Sequence, residues 1–223
     1  MENMGNYKDA NNTQKKNKLL IIGAGGHGRV VADIAMKMNK WGHIAFLDDD
    51  ENINSSMGID IIGKSKDAFI YIKDYDIFVA IGNNKTREKI QNQLEKAGAS
   101  IPILIHPSAI IGKEVDIGNG TVVIAGAVIN CCSKISRGCI VNTCATIDHD
   151  NVIQEYVHIS PGVRIAGTVE IGKGTWIGIG AVIINDKKIT SGCIIGAGAV
   201  VVKDIIEAGI YIGVPATKFY REK

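Results

Sequence analysis

IHPSAIIGKEVDIGNGTVVIAGAVINCCSKISRGCIVNTCATIDHDNVIQEYVHISPGVRIAGTVEIGKGTWIGIGAVIINDKKITSGCIIGAGAVV, residues 105–201, is the stretch that decides the fold. Sampling every sixth residue gives Ile105, Ile111, Ile117, Val123, Ile129, Ile135, Val141, Ile147, Ile153, Ile159, Ile165, Ile171, Ile177, Ile183, Ile189, Ile195 and Val201. All seventeen are β-branched and aliphatic, without a slip of register. With about one residue in four Ile or Val, chance gives such a frame with probability on the order of 10⁻¹⁰. Four residues after each of these the side chain is usually small or β-branched, as at Ala109, Thr121, Ala127, Ser133, Cys139, Ala145, Thr175, Ala181, Cys193 and Ala199, with Asn151 and Lys187 the exceptions. A fixed hexapeptide period is the signature of a β-solenoid.

The repeat has a simple physical content. A short β-branched strand points one side chain inward, a corner follows, and the next strand begins. Three hexads close a triangular coil, and coils stack at the sheet spacing of roughly 4.8 Å, so that about five coils make a prism roughly 25 Å long. The repeating aliphatic residues are core. Chemistry therefore falls to the residues between them.

Outside the repeat the chain reads differently. Residues 1–17 (MENMGNYKDANNTQKKN) are polar and predict a disordered leader. Within 18–104, Leu19-Leu20-Ile21-Ile22 is a buried-strand run followed by Gly23-Ala24-Gly25-Gly26-His27-Gly28, then Val30, Val31, Ile34, Ala35 and Met38 at helical spacing. A second strand, Ile44–Leu47, ends in Asp48-Asp49-Asp50; a third, Ile77–Ile81, ends in Gly82-Asn83-Asn84 before an amphipathic helix from Thr86 to Ala97. Strand, glycine turn, helix, strand predicts a small Rossmann-like α/β unit with a parallel sheet. Residues 205–223 break the period and predict an irregular cap over the open end of the prism.

The formal charge of +2 over 223 residues gives no global field for nucleic acid or a membrane surface. The apolar runs are too short for a membrane span, and the N-terminus lacks a signal-peptide core. The five cysteines, Cys131, Cys132, Cys139, Cys144 and Cys193, have no metal-site or disulfide-framework spacing and read as reduced packing residues of a cytoplasmic protein.

The glycine turn matches G-x-G-x-x-G with acidic residues about twenty positions on, the pattern of dinucleotide sites. A unit of about eighty residues is only half of such a fold, which argues against a redox cofactor. A plain tight turn also explains the glycines. The mechanism of phosphate binding transfers nonetheless, because backbone N–H groups and a helix N-terminus suit an anion. His27 lies inside that turn, Asp48 or Asp49 can take a ribose or base, and Gly82 closes a strand at the same carboxyl edge.

Five histidines exist, and His149 stands out in Asp148-His149-Asp150. It falls two positions after Ile147, at a corner with an outward side chain. A carboxylate on one ring nitrogen fixes the tautomer and raises the basicity of the other, as a general base requires. A solvated corner histidine is the bland alternative. His158 lies half a coil on, facing another direction, so a centre using both histidines falls between neighbouring prisms and implies a trimer. No third ligand accompanies them for a metal. Gly167 offers a bare backbone N–H at a corner.

These residues resemble the nucleotide-sugar acetyltransferases of the left-handed parallel β-helix class, of the bacillosamine and perosamine N-acetyltransferase type, related to sialic acid O-acetyltransferases. The resemblance rests on Leu20–Gly28, Ala80–Asn84, Asn142–His158 and Gly213–Ala216. It implies a left-handed coil, a homotrimer and acetyl-CoA as co-substrate without a metal. It further implies His149 as base with Asp150 behind it (Asp148 an open alternative), and His158, Gly167, Ile179 and Ala197 as the acetyl-CoA contacts. For the nucleotide sugar it implies Gly25, Gly26, His27, Asp48, Asp49 and Gly82, with Asn142 reaching toward the sugar. The expected reaction is acetyl transfer to the 4-amino group of a UDP-linked deoxy-amino sugar in surface glycan biosynthesis. GDP-perosamine N-acetylation, O-acetylation of the sialic acid type, and a non-catalytic trimeric scaffold are the rivals.

Overall fold

The computed structural model describes residues 16–220 and divides into two compact units, one ending at Pro107 and the other beginning at Ser108. Residues 1–15 of the expected leader lie outside the described residues. Lys16 and Asn17, assigned to that leader by composition, are bonded into the first unit. Lys16 Nζ donates to the Tyr75 carbonyl at 3.1 Å, and Asn17 Oδ1 accepts the Gly42 N–H at 2.8 Å.

In the first unit, β1 (Lys18–Ile22) pairs in parallel with β2 (His43–Leu47) on one side and with Asp76–Val79 on the other. The unbroken apolar run Leu19–Ile22 is fully buried, as a central parallel strand covered on both faces requires. Leu20, Ile22, Ala45, Leu47, Ile77, Val79, Leu94 and Ile101 form one core cluster. Helix α1 (Gly26–Met38) follows the glycine turn directly and buries Val31, Ala32, Ile34 and Ala35. Helix α2 (Asn84–Lys96) is capped by Asn83, whose side chain accepts the Thr86 N–H at 3.0 Å, satisfying one of the free N–H groups of its first turn.

The second unit is a parallel β-solenoid of two-residue strands, each paired with the strand eighteen residues on. One face carries Ile110–Ile111, Val128–Ile129, Thr146–Ile147, Arg164–Ile165, Val182–Ile183 and Val200–Val201. The second carries Asp116–Ile117, Lys134–Ile135, Val152–Ile153, Glu170–Ile171 and Lys188–Ile189. The third includes Val122–Val123, Ile140–Val141, His158–Ile159, Trp176–Ile177 and Ile194–Ile195. The repeating aliphatics from Ile117 to Val201 are all buried; Ile105 and Ile111, before the first complete coil, are half-buried. Between strands the chain turns through a left-handed residue. That slot is glycine at 120, 126, 138, 162, 174, 180, 192 and 198, and Glu114, Cys132, Cys144, Asp150, Tyr156, Thr168 and Asp186 elsewhere, with φ between 54° and 73° throughout.

Two expectations are corrected. Only Cys139 and Cys193 are packing residues; Cys131, Cys132 and Cys144 are exposed, because they occupy the outward corner and not the inward small-residue slot. The segment after Val201 is also more regular than its composition suggests. Ile210–Ile212 adds a parallel strand to Ile194–Ile195, and Thr217–Lys218 folds back antiparallel against it.

Candidate active site

His149 sits at the corner between the first and second faces, with its side chain about half exposed. Its Nδ1 lies 2.8 Å from Asp150 Oδ2. A carboxylate there places the ring proton on Nδ1 and leaves the lone pair on Nε2. The same hydrogen bond is the main cause of a His149 pKa above the ordinary histidine value, with the charges of Asp148, Asp150 and Asp186 adding to it. Asp148 is engaged elsewhere. Its Oδ1 accepts from Asn130 Nδ2 at 2.7 Å and from the His149 N–H at 3.0 Å, and the Asn130 bond chiefly holds its carboxyl below the usual range.

Gly167 stands one coil above, in the same corner column. A Cβ built on it would lie 2.6 Å from His149 Cε1 and 2.7 Å from Nε2. The imidazole therefore rests on a bare Cα. The ladder's donors here are the N–H groups of Ala166 and Thr168, on either side of Gly167. The corner is secured from inside by Asn151, which is fully buried. Its Nδ2 donates to the carbonyls of Asp148, His149 and Ala166 at 2.7, 3.2 and 3.0 Å, and its Oδ1 accepts the Val169 N–H at 2.9 Å. Asn151 breaks the small-residue pattern in the sequence, but only the structure reveals what it holds. A groove of about 390 Å³ lies on the first face beside this corner, lined by Thr146, Asp148, Arg164, Val182, Ile184 and Asn185 among others.

His158 belongs to the third face, across the triangle from the corner that carries His149. It stacks on Trp176 with centroids 6.1 Å apart and planes inclined at 20°, and its Nε2 lies 3.3 Å from Asn142 Nδ2. Ile179 and Ala197 are exposed and consecutive in the corner column between the third and first faces, where the Gly198 N–H donates to the Ile179 carbonyl. The structure thus gathers His149, Asp150 and Gly167 at one corner, and His158, Asn142, Ile179 and Ala197 around the opposite side. No group of three or more His, Cys, Asp or Glu residues suits a metal ion among the described residues.

In the first unit the glycine turn has two kinds of glycine. Gly23 has φ +100°, and a Cβ on Gly28 would meet the Gly23 carbonyl oxygen at 1.8 Å, so the fold itself demands them. Gly25, Gly26 and Gly82 face open space, where an approaching ligand would meet bare backbone. The Asp48 carboxylate closes the turn, accepting the Ala24 N–H at 2.6 Å and the Asp50 N–H at 2.9 Å, and Asp49 Oδ1 accepts the Ser65 N–H at 2.9 Å. Both acids therefore carry loop-holding duties that their sequence position does not disclose. His27 Nε2 is buried without a hydrogen-bond partner among the described residues. Burial, and then the Arg87 charge, lower its pKa to about 4. Arg87 is the residue that sequence reading missed. It is 1% exposed, and its guanidinium donates to the Ile81 and Gly82 carbonyls and to Asn84 Oδ1; a helical Arg in a polar run carries no signal of burial.

Known proteins share this architecture. Residues 18–94 match the PglD N-terminal domain family. The GDP-perosamine N-acetyltransferase of Escherichia coli O157:H7 is 31% identical over 171 residues, 73% of this chain and 76% of that protein. The UDP-N-acetylbacillosamine N-acetyltransferase of Bacillus subtilis (strain 168) is 35% identical over 108 residues, 47% of this chain and 50% of that one. Among solved structures, the acetyltransferase domain of PglB from Neisseria gonorrhoeae FA1090 in complex with acetyl coenzyme A is 41% identical, with 92% of this chain and 100% of that chain covered and a TM-score of 0.89. PerB from Caulobacter crescentus, in complex with CoA and GDP-perosamine, is 34% identical, with 91% and 97% covered and a TM-score of 0.86.

Proposed function

The chain belongs to the nucleotide-sugar N-acetyltransferases that carry a PglD-type N-terminal domain on a β-solenoid, and on that premise we propose that it transfers acetyl from acetyl-CoA to the 4-amino group of a UDP-linked deoxy-amino sugar. The observation that carries this reading is the 2.8 Å contact between His149 Nδ1 and Asp150 at an outward corner. It leaves Nε2 as the base that removes a proton from the amine as nitrogen attacks the thioester carbon. The C–S bond then breaks, the electron pair leaves with sulfur, and CoA departs as the thiol. The developing oxyanion needs preplaced donors, for which His158 and the Gly167 N–H are the assigned groups, with Ile179 and Ala197 along the cofactor. The glycine turn with Gly25, Gly26 and His27, together with Gly82, takes the diphosphate; Asp48 and Asp49 stand at the nucleoside side.

His149 and His158 lie on opposite sides of one prism, which supports a homotrimer in which one copy's corner faces its neighbour's third face. Sedimentation and assay together test this: a fully active monomer overturns it. Among the described residues no helix is long and apolar enough to cross a membrane, and we place the enzyme in the cytoplasm, supplying an acetylated sugar nucleotide for surface glycan assembly. A GDP-linked acceptor is the second reading, favoured by the longer match to GDP-perosamine N-acetyltransferase.

Thiol release from acetyl-CoA, measured against a panel of UDP- and GDP-linked 4-amino sugars, tests the function. One member of the panel drives release in the wild type, and His149→Ala abolishes it while CoA binding persists. Release by no amino sugar, or near-normal turnover in the variant, overturns the reading.

A further inference from the structure

Three of the five cysteines are exposed, and two of these, Cys131 and Cys132, are neighbours in the chain. They belong to the corner column that carries His149 and Gly167. One ladder bond repeats up that column. The Cys132 N–H donates to the Lys113 carbonyl, the Asp150 N–H to the Cys131 carbonyl at 3.2 Å, and the Thr168 N–H to the His149 carbonyl. Cys131 therefore lies one coil below His149. Cys132 lies one coil below Asp150, in the left-handed slot at φ +62°. Coils stack roughly 4.8 Å apart, which brings both thiols within a side chain's reach of the base and its carboxylate.

The two thiols meet each other. A side-chain hydrogen bond joins them, and the Cys132 thiol donates to Glu114 Oε2, with sulfur 3.8 Å from the oxygen. Desolvation first, then Cys131 and the charges of Glu114 and Asp150, raise the Cys132 pKa. That sulfur stays a thiol at neutral pH and is a poor nucleophile. Chemistry that takes up two neutral thiols together remains open to the pair. Trivalent arsenic does this. An organoarsenic oxide forms two As–S bonds and gives up its oxygen, which leaves as water with the two thiol protons. Arsenic stays trivalent, so no oxidant or reductant is needed. Among the described residues no third His, Cys, Asp or Glu completes a metal site here, whereas two sulfurs satisfy an arsenic that carries one organic group. The second As–S bond closes within one corner, which is the source of chelate strength. Cys144, exposed at a different corner, offers one bond only.

We propose that Cys131 and Cys132 form a two-sulfur site for trivalent arsenicals, and that its occupant obstructs the His149–Asp150 corner one coil above. Chelation draws both sulfurs onto one atom, and the organic group on arsenic then occupies the corner beside Asp150. The site itself rests on the cysteines alone; the obstruction rests on the acetyltransferase reading.

The test adds phenylarsine oxide to the full-length protein at one equivalent per chain. Intact mass should show one phenylarsenic group per chain, and a chromogenic disulfide should find two fewer reactive thiols. Cys131→Ser and Cys132→Ser should each weaken binding about a hundredfold or more and keep the turnover of the untreated wild type, while Cys144→Ser binds as the wild type does. Turnover of the arsenical-treated wild type, with the acceptor found in the panel, should fall about tenfold or more. Dimercaptopropanol should restore it, and mercaptoethanol at equal thiol concentration should not. No adduct on the wild type, or an adduct that survives in Cys132→Ser or is lost in Cys144→Ser, overturns the site; the wild-type result stands whether or not a variant folds. A stoichiometric adduct with unchanged turnover overturns the obstruction and leaves N-acetyl transfer standing. Failure of every amino sugar in the panel would instead strike the acetyltransferase reading, with the arsenical site still decided by mass.

Discussion

At the residue scale, the chemistry is written in how single carboxylates and rings are shared out. Asp150 raises the His149 pKa, chiefly by its hydrogen bond, and a base works only when unprotonated. Hence kcat/KM should climb with pH through a midpoint above the ordinary value of 6.5 and move down toward 6.5 in Asp150→Asn, with a lower plateau; a midpoint that ignores the substitution refutes the pairing. His27 shows the opposite displacement, down to about 4. Between pH 6.5 and 4 the unfolded chain takes up a proton that the native imidazole refuses, so stability is intact above 6.5 and is lost as pH falls through that window. The loss at its lower end is about 3 kcal/mol. Thermal unfolding of His27→Gln from pH 7 to 4.5 should show a shallower decline than the wild type, since the carboxylate titrations common to both cancel in the comparison.

At the scale of elements, the hexad period makes the prism legible at once and the corners hardly at all. Inward positions must be apolar, and six-residue spacing follows from the strand-and-corner unit, so every core position can be read by counting. Corner side chains face outward and obey no such rule. The sequence therefore places His149 at a corner but does not reveal that its ring lies on Gly167, or that Asn151, visible only as an anomaly, ties down the carbonyls beneath it. Gly167→Ala is the direct probe. A methyl 2.6 Å from Cε1 must push the imidazole aside, so turnover should drop by about tenfold or more, while an unfolding temperature within a few degrees of the wild type shows that the coil survives. Turnover equal to the wild type would mean that the ring has room the structure does not show. The outward residues of the faces carry a second pattern that hexad counting passes over. The second face presents Asp116, Lys134, Glu170 and Lys188 with Val152, whereas Ile110 and Val182 on the first and Trp176 and Ile194 on the third are exposed. Charge thus concentrates on the second face of the prism, with Arg164 the exposed charge on the first.

At the scale of the whole molecule, two kinds of unit share the work because their architectures offer different things. The parallel sheet ends in turns with bare backbone at Gly25, Gly26 and Gly82, suited to a charged ligand. The solenoid offers rigid columns in which neighbours eighteen residues apart keep their register. The first was legible as a glycine pattern, although Arg87, Asp48 and Asp49 show that loop-holding polar groups do not announce themselves. The second was legible in architecture and in the location of its histidines, while their orientations had to be seen.

The left-handed corner slot has one more consequence. Eight corners of the solenoid fill it with glycine, and Asp150 fills it at φ +57°, a conformation that even the more tolerant Asp adopts at some cost. Asp150→Gly should therefore raise the unfolding temperature slightly, by an amount corresponding to about 1 kcal/mol at most, while turnover falls; an unfolding temperature lower than the wild type's would show that the Asp150 carboxylate is itself a structural support. Random variation screened for heat tolerance alone would favour that glycine. A lineage that kept drifting under such selection would retain a sound prism and, on the proposed role of Asp150, lose its turnover, so heat tolerance and activity pull this one corner in opposite directions.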